Sequence, residues 1–305
     1  MKKNILTLMA LLGTMAWSGC RMEEEDVISD PAEDVCKCEL VVKALKEDSA
    51  TRALELGEGT EATTTELKSV WEADEQVLVY LDDEYIGTLT ATPDAKDTHK
   101  ATLSGTVVSS DITAGSTRLT LFTPREEWSY DDQEGVLLDT DNSIEKKYHY
   151  TMASDVLVTA VSDGQITTEE ASFLKQQSIY RLSFRYQANT STKTPLTAMW
   201  VTISGAGGNL VRNEVLGGSS VKGPLSVRLG TPTADPFFVA IRNDDQTGEE
   251  ALTFTVVDDN GITYRGSKTI PADNKANGNF VSVKNATLPY RMELTEVSTE
   301  VNAAL

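Results

Sequence analysis

Residues Ala251 to Ile270 read ALTFTVVDDNGITYRGSKTI, and this stretch decides the fold class. Leu252-Thr253-Phe254-Thr255-Val256-Val257 and Ile262-Thr263-Tyr264 are the β-branched and aromatic runs that suit a pleated surface. Asp259-Asn260-Gly261 between them tolerates the positive φ angles of a tight turn, so the stretch is a β-hairpin. The same composition recurs outward along the chain. In Trp71 to Leu81, Val77, Val79 and Leu81 fall on one side and Leu78 and Tyr80 on the other, the pattern of a strand buried on both faces. Strands are also expected at Tyr85 to Thr92, Lys100 to Val108, Arg118 to Thr123, Val156 to Val161, Ile179 to Tyr186 and Met199 to Ser204. Outside the tail, Glu169 to Lys175 is the one short run compatible with a helix, and it fits a loop equally well. Many short strands with polar turns predict an all-β chain of β-sandwiches.

The 305 residues carry 27 Lys and Arg against 47 Asp and Glu, a formal net charge of -20. Repulsion then opposes binding to nucleic acid and adhesion to anionic headgroups. The first residues read as an export signal: Lys2 and Lys3, an apolar stretch from Ile5 to Met15, then Trp17-Ser18-Gly19-Cys20. This ending looks like a bacterial lipobox, although Trp17 stands where a smaller aliphatic residue is usual. Residues 1–19 are thus expected to be a lipoprotein signal peptide and Cys20 the acylated residue, with a plain secretory signal as the alternative. Acyl chains gain about 0.8 kcal/mol per buried methylene, so more than one gives stable anchoring. Residues 20–37 hold Glu23, Glu24, Glu25, Asp26, Asp30, Glu33 and Asp34, an acidic tether that cannot fold alone. Acidic residues just behind such a cysteine resemble a surface-export signal of lipoproteins, so the expected location is the outer membrane facing the cell exterior, with a solvated spacer facing the periplasm as the alternative.

With Cys20 acylated, only Cys36 and Cys38 remain, too few for a disulfide framework. The rest of the chain is long enough for two domains. A seam at Ser162-Asp163-Gly164-Gln165 gives an N-terminal sandwich at 38–165 and a C-terminal one at 166–305, and Ala188 to Pro195 is a second candidate seam.

Residues suited to catalysis are scarce. His99 and His149 are the two histidines, too few for a His-based metal cluster or triad. Gly205-Ala206-Gly207-Gly208-Asn209-Leu210 lacks the third glycine of a dinucleotide fingerprint. The pairs Asp82-Asp83, Asp131-Asp132 and Asp258-Asp259 read as solvated turns rather than as opposed acid and base. Asp139-Thr140-Asp141-Asn142 begins like a calcium loop, but Ile144 stands where the glycine belongs. No metal, cofactor or catalytic residue is expected, and the chain is read as a non-enzyme. Trp128 and Tyr130, among Glu126, Glu127, Asp131 and Asp132, form a candidate stacking platform for a glycan, against partial burial beside Pro124. Trp71 and Trp200 sit in strand patterns and are assigned to the core.

Near the start of the body, Cys38, Leu40, Val42 and Ala44 alternate with Glu39, Val41, Lys43 and Leu45, giving a first strand with one apolar face. Downstream come Thr51-Arg52-Ala53, Trp71-Glu72-Ala73-Asp74 ahead of Val77-Leu78-Val79-Tyr80, Asp155 to Ala160, Phe173 through Phe184, and Gly278-Asn279-Phe280-Val281-Ser282-Val283. In this order the landmarks resemble the fimbrillins and fimbrillin-like lipoproteins of the Bacteroidales, over most of the chain. Ala73 replaces the usual glycine.

The resemblance implies two tandem transthyretin-like β-sandwiches and a stalk, anchor or tip subunit of a surface fimbria. It also implies cleavage between Arg52 and Ala53, which frees the first strand with its lipid and leaves a groove for another subunit's strand. Losing Leu40, Val42 and their neighbours at roughly 1.5 to 3 kcal/mol each would remove much of a domain's net stability. The expected donor lies in the tail, 290–305, where Val297, Thr299, Val301, Ala303 and Leu305 alternate with polar residues. Leu294, Val297, Val301 and Ala304 also fit a short helix. Asp48-Ser49-Ala50 is similar to the O-glycosylation site of this bacterial group. Expected partners are other fimbrial subunits, the outer membrane through the lipid, and a host or bacterial surface glycan or protein. The rival reading keeps Arg52 as an ordinary loop residue in a monomeric glycan-binding lipoprotein that uses Trp128 and Tyr130.

Overall fold

The computed structural model describes residues 37–46, 53–56, 67–108, 111–123, 127–187, 193–208, 210–215, 218–243, 250–270 and 280–287. The first half holds β1 (Lys37–Lys46), β2 (Ala53–Leu56), β3 (Leu67–Val70), β4 (Gln76–Leu81), β5 (Glu84–Pro93), β6 (Lys100–Val108), β7 (Arg118–Thr123), β8 (Glu127–Ser129), β9 (Thr151–Ser162), β10 (Gln165–Thr168) and β11 (Ala171–Lys175). The second holds β12 (Ser178–Gln187), β13 (Lys193–Pro195), β14 (Ala198–Ser204), β15 (Leu210–Val215), β16 (Val221–Lys222), β17 (Leu225–Thr233), β18 (Phe237–Asn243), β19 (Glu250–Asp258), β20 (Thr263–Ile270) and β21 (Phe280–Thr287). Among the described residues, helix is confined to short turns at Ile144–Tyr148 and Ala206–Gly208, so the chain is all-β. Glu169 to Lys175 contains strand β11, since Ala171, Phe173 and Lys175 point inward with period two.

The hairpin expected at Ala251 to Ile270 is β19–β20, paired from Glu250↔Ile270 to Val257↔Thr263. Its turn is wider than a two-residue connection. Asp258 N–H donates to the Ile262 carbonyl at 3.0 Å, and within the turn only Gly261 takes positive φ, at 78°. That is the three-residue loop in which a left-handed glycine closes the turn. The Asp258 carboxylate accepts the N–H groups of Asn260 and Ile262 at 2.9 and 2.8 Å, which satisfies donors the ladder cannot reach.

Eight strands of the first half form one sheet in the order β10-β1-β11-β9-β7-β4-β5-β6, and β6 returns to pair with β1, while β2 pairs with β3 in a separate ladder. The facing sheets of the expected sandwich are therefore joined edge to edge through β1, and the sheet closes. Its interior is mostly aliphatic, with Leu40, Val42, Val77, Val79, Leu89, Leu103, Leu121 and Val158 buried around Trp71 and Phe173. The second half has separate sheets: β13-β12-β18-β15-β16, with β21 on β12 and β8 on β15, and β17-β14-β19-β20. Their inner faces pack Leu182, Phe184 and Val239 with Val201, Val227, Phe254 and Val256.

The halves do not part where the sequence suggested. Ser162 to Gln165 is the turn of the β9–β10 hairpin, and β10 and β11 both pair with β1, so the first sheet runs to Lys175. Ala198, near the second candidate seam, is buried in the second core. Instead of a linker, residues 127–150 leave the first sheet, enter the second core with Trp128, Tyr130, Leu137, Ile144, Tyr148 and Tyr150, and return. Gln133 secures the crossing: its side chain donates to the Ala240 carbonyl at 2.8 Å and accepts the Ala240 N–H at 2.7 Å, as a strand neighbour would. Gly135 follows at φ 79°, where a Cβ would run into Leu229 and Phe237. The described residues, from Lys37 to Thr287, belong to one compact unit.

Candidate functional site

The site is the seat of β1. On one edge β1 is antiparallel to β6, in register from Lys37↔Val108 to Leu45↔Lys100. On the other it is parallel to β10 from Glu39↔Gln165 to Val41↔Thr167 and to β11 from Ala44↔Ala171 to Lys46↔Phe173. Both edges are thus occupied, and β1 is the stave that closes the sheet. Cys38, Leu40, Val42 and Ala44 are all buried, as the alternation predicted, and Cys38 is a buried thiol. Taking β1 out would leave an apolar trough flanked by the unpaired edges of β6 and β10–β11, a template for another strand.

Lys46 continues the inward phase beyond Ala44 and was not anticipated as a site residue. It is 1% exposed, and its ammonium donates to Glu75 Oε2 at 2.7 Å and to the Val70 carbonyl at 3.0 Å. The same nitrogen lies 3.6 Å from the centroid of the Trp71 ring. Glu75, 5% exposed, also accepts the Thr123 hydroxyl at Oε1, 3.2 Å away. Glu75, the last of three acidic residues between Trp71 and β4, is therefore the counter-charge for the end of β1. A sequence signal existed: the period-two face ran on to position 46, but a lysine there reads as the solvated end of a strand.

His149 is buried nearby, and burial first, then the charges of Lys175 and Lys46, holds its pKa well below the ordinary histidine value. It is a neutral core residue, and its turn-like sequence context gave no sign of this.

Trp128 and Tyr130 require a correction. They are 1% and 0% exposed. The Trp128 ring is stacked with Phe122 at 4.8 Å and Tyr150 at 5.6 Å between centroids, and the Arg242 guanidinium lies 4.3 Å from its centroid. No ring face is left for a sugar. The acidic neighbours misled because Asp131 is held by Arg212 Nε at 2.7 Å at the margin of the core, while Tyr130 and Gln133 on either side of Asp131-Asp132 are buried. Trp71 is buried as assigned; Trp200 is half-buried.

The carboxylate pairs serve local structure. Asp82 and Asp83 form the β4–β5 turn at φ 48° and 69°, beside a polar hollow of about 590 Å³ that also touches Asp111, Arg118 and Asp155. Asp258 braces the β19–β20 turn. Ile144, in the glycine place of the calcium-like loop, is buried in the second core. Ala53 opens β2, which pairs with β3. Cys20, Cys36, Arg52, and the donor residues Val297, Thr299, Val301, Ala303 and Leu305 lie outside the described residues.

No protein-family model and no curated protein matches the chain. Among solved structures it is similar to a Bacteroides uniformis protein provisionally described as a cell adhesion protein, at 15% identity and TM-score 0.36 over 77% of this chain and 84% of that one. A fimbrial assembly protein of Parabacteroides distasonis matches at 11% identity and TM-score 0.33, over 81% and 90%. A Bacteroides thetaiotaomicron structure provisionally described as polysaccharide binding matches at 11% and 0.33, over 75% and 79%. These neighbours come from the bacterial group that the fimbrillin resemblance names. At such low identities and scores they carry no weight on what this chain does, and its function rests on its own residues.

Proposed function

We propose that this chain is a structural subunit, stalk, anchor or tip, of a cell-surface fimbria, exported as a lipoprotein through Cys20 and joined to neighbouring subunits by strand exchange at the seat of β1. The observation that carries the reading is the place of β1, which closes a sheet from both edges and fills its interior with Leu40 and Val42. A strand so placed leaves behind a ready acceptor, and a head-to-tail contact of that kind extends into a filament. Cleavage between Arg52 and Ala53 is the step that frees β1, and the segment Val297 to Leu305 is read as a donor strand.

The two halves are read as tandem transthyretin-like sandwiches. Supporting this, the first strand of each half lies between an antiparallel strand and a parallel one from the end of its own half: β1 between β6 and β10–β11, β12 between β18 and β21. The protein works by assembly rather than catalysis, outside the outer membrane, with other subunits as partners.

The N-terminal residue of protein recovered from intact cells tests this directly. Ala53 in sheared filaments is expected of a processed shaft subunit, and acylated Cys20 within filaments of an anchor. Acylated Cys20 on a protein never found in filaments would refute the fimbrial role. Deleting Pro289 to Leu305 should leave a folded protein unable to polymerise, and unchanged filaments would refute the donor assignment.

A further inference from the structure

The seat of β1 is not uniformly apolar. At the end occupied by Lys46 it presents the Glu75 carboxylate, 5% exposed, with Thr123 and Trp71 around the same point. When β1 leaves it takes the cation with it, and a buried carboxylate facing an apolar side chain is disfavoured far more than one facing an ammonium or guanidinium. We infer that Glu75 makes this groove selective for an extended segment of another protein that carries Lys or Arg where Lys46 stands and small or aliphatic residues at the places of Cys38, Leu40, Val42 and Ala44. The inference rests on the strand-exchange reading and adds what the exchanged strand must contain.

Charge complementarity selects against the Val297–Leu305 segment of a second copy as the occupant. Laid over β1 in the same direction, Val297, Thr299, Val301 and Ala303 fall on the places of Cys38, Leu40, Val42 and Ala44, and Leu305 meets Glu75. Laid in the opposite direction, Val297 meets Glu75. No Lys or Arg occurs between Val297 and Leu305. The segment fills the apolar places apart from Thr299 and fails at the charged one. The same carboxylate sets register: a strand slipped by two residues keeps its apolar face but moves its cation away from Glu75.

The test uses the full chain with a single-site protease sequence in place of residues 47–52, nicked so that β1 stays seated but is no longer joined to the body. A fluorescent peptide of sequence Lys37–Lys46 is exchanged into it under reducing conditions and followed by anisotropy, beside the same peptide with Lys46→Met and a peptide Val297–Leu305. The first should enter. The other two should bind at least about tenfold more weakly, and Glu75→Gln in the nicked protein should narrow the gap between the unaltered peptide and its Lys46→Met variant to under about threefold. Binding of the Lys46→Met peptide, or of the tail peptide, as tight as that of the unaltered one overturns the selectivity and leaves strand exchange standing. Failure of every peptide to enter removes strand exchange itself, and the selectivity with it.

Discussion

β1 and β12 are counterparts with opposite attachments. Each is the first strand of its half, each runs between an antiparallel and a parallel neighbour, and each brings a buried cation, Lys46 in one and Arg181 in the other. β12, however, is joined to β11 by Gln176 and Gln177, which are themselves built into the body: Gln176 N–H donates to the Tyr150 carbonyl at 3.0 Å, and Gln177 Oε1 accepts the Tyr150 N–H at 3.0 Å and the Tyr130 hydroxyl at 3.2 Å. β1 leads instead into the stretch that ends at Arg52, where a single proposed cut detaches it. If the proposed cut is made, a strand's exchangeability follows from how it is joined to the rest of the chain rather than from how well it is buried.

Five measurements bear on the contrast between β1 and β12. The largest effect belongs to the join on the β12 side: Trp128→Ala should cost about 3 to 5 kcal/mol in urea unfolding, because its buried ring stacks with Phe122 and Tyr150. A loss below about 1 kcal/mol, on the order of an exposed residue, would mean that residues 127–150 do not weld the halves.

On the β1 side, Glu75→Leu should cost about 3 to 5 kcal/mol by leaving the Lys46 ammonium buried without its carboxylate, and adding Lys46→Met should recover most of it. No recovery in the double variant would show that the pair is not the clasp at the end of β1. Leu40→Ala and Leu182→Ala should each cost about 2 to 5 kcal/mol, since both side chains are fully buried. In a chain nicked within 47–52, Leu40→Ala should also speed the departure of β1, measured by peptide exchange, whereas Leu182→Ala should not. Equal acceleration by both would erase the distinction between the strands.

His149 gives a smaller, pH-dependent effect. Its folded pKa is depressed, so as pH falls below the ordinary value of 6.5 the unfolded chain takes up a proton that the folded chain refuses. Stability is therefore full above that pH and falls below it, by at most about 1.4 kcal/mol per pH unit, until the folded pKa is reached. His149→Phe should flatten that slope in unfolding curves recorded between about pH 6.5 and 5, and an unchanged slope would place the acid sensitivity elsewhere. Last, Lys43→Ala, which removes only an exposed 2.8 Å hydrogen bond to Thr102, should change stability by less than about 0.5 kcal/mol. A larger loss would mean that the outer face of β1 also holds it in place.

Period-two alternation of side chains, readable from sequence alone, determined that the chain is all-β, that β1 buries Cys38, Leu40, Val42 and Ala44, and that Ala251 to Ile270 is a hairpin, because facing is fixed along each strand by its own residues. Only the tertiary structure decided which edges meet: that β1 closes its sheet, that the first half runs to Lys175, and that Trp128 and Tyr130 are core. The inward-facing residues of 127–150 are buried in a core completed by strands far along the chain, so beside their acidic neighbours they looked like a surface. Lys46 makes the same point in a single residue, since whether an ammonium at a strand end meets water or a buried carboxylate depends on where the Trp71 to Glu75 turn comes to lie, and nothing local to position 46 encodes that.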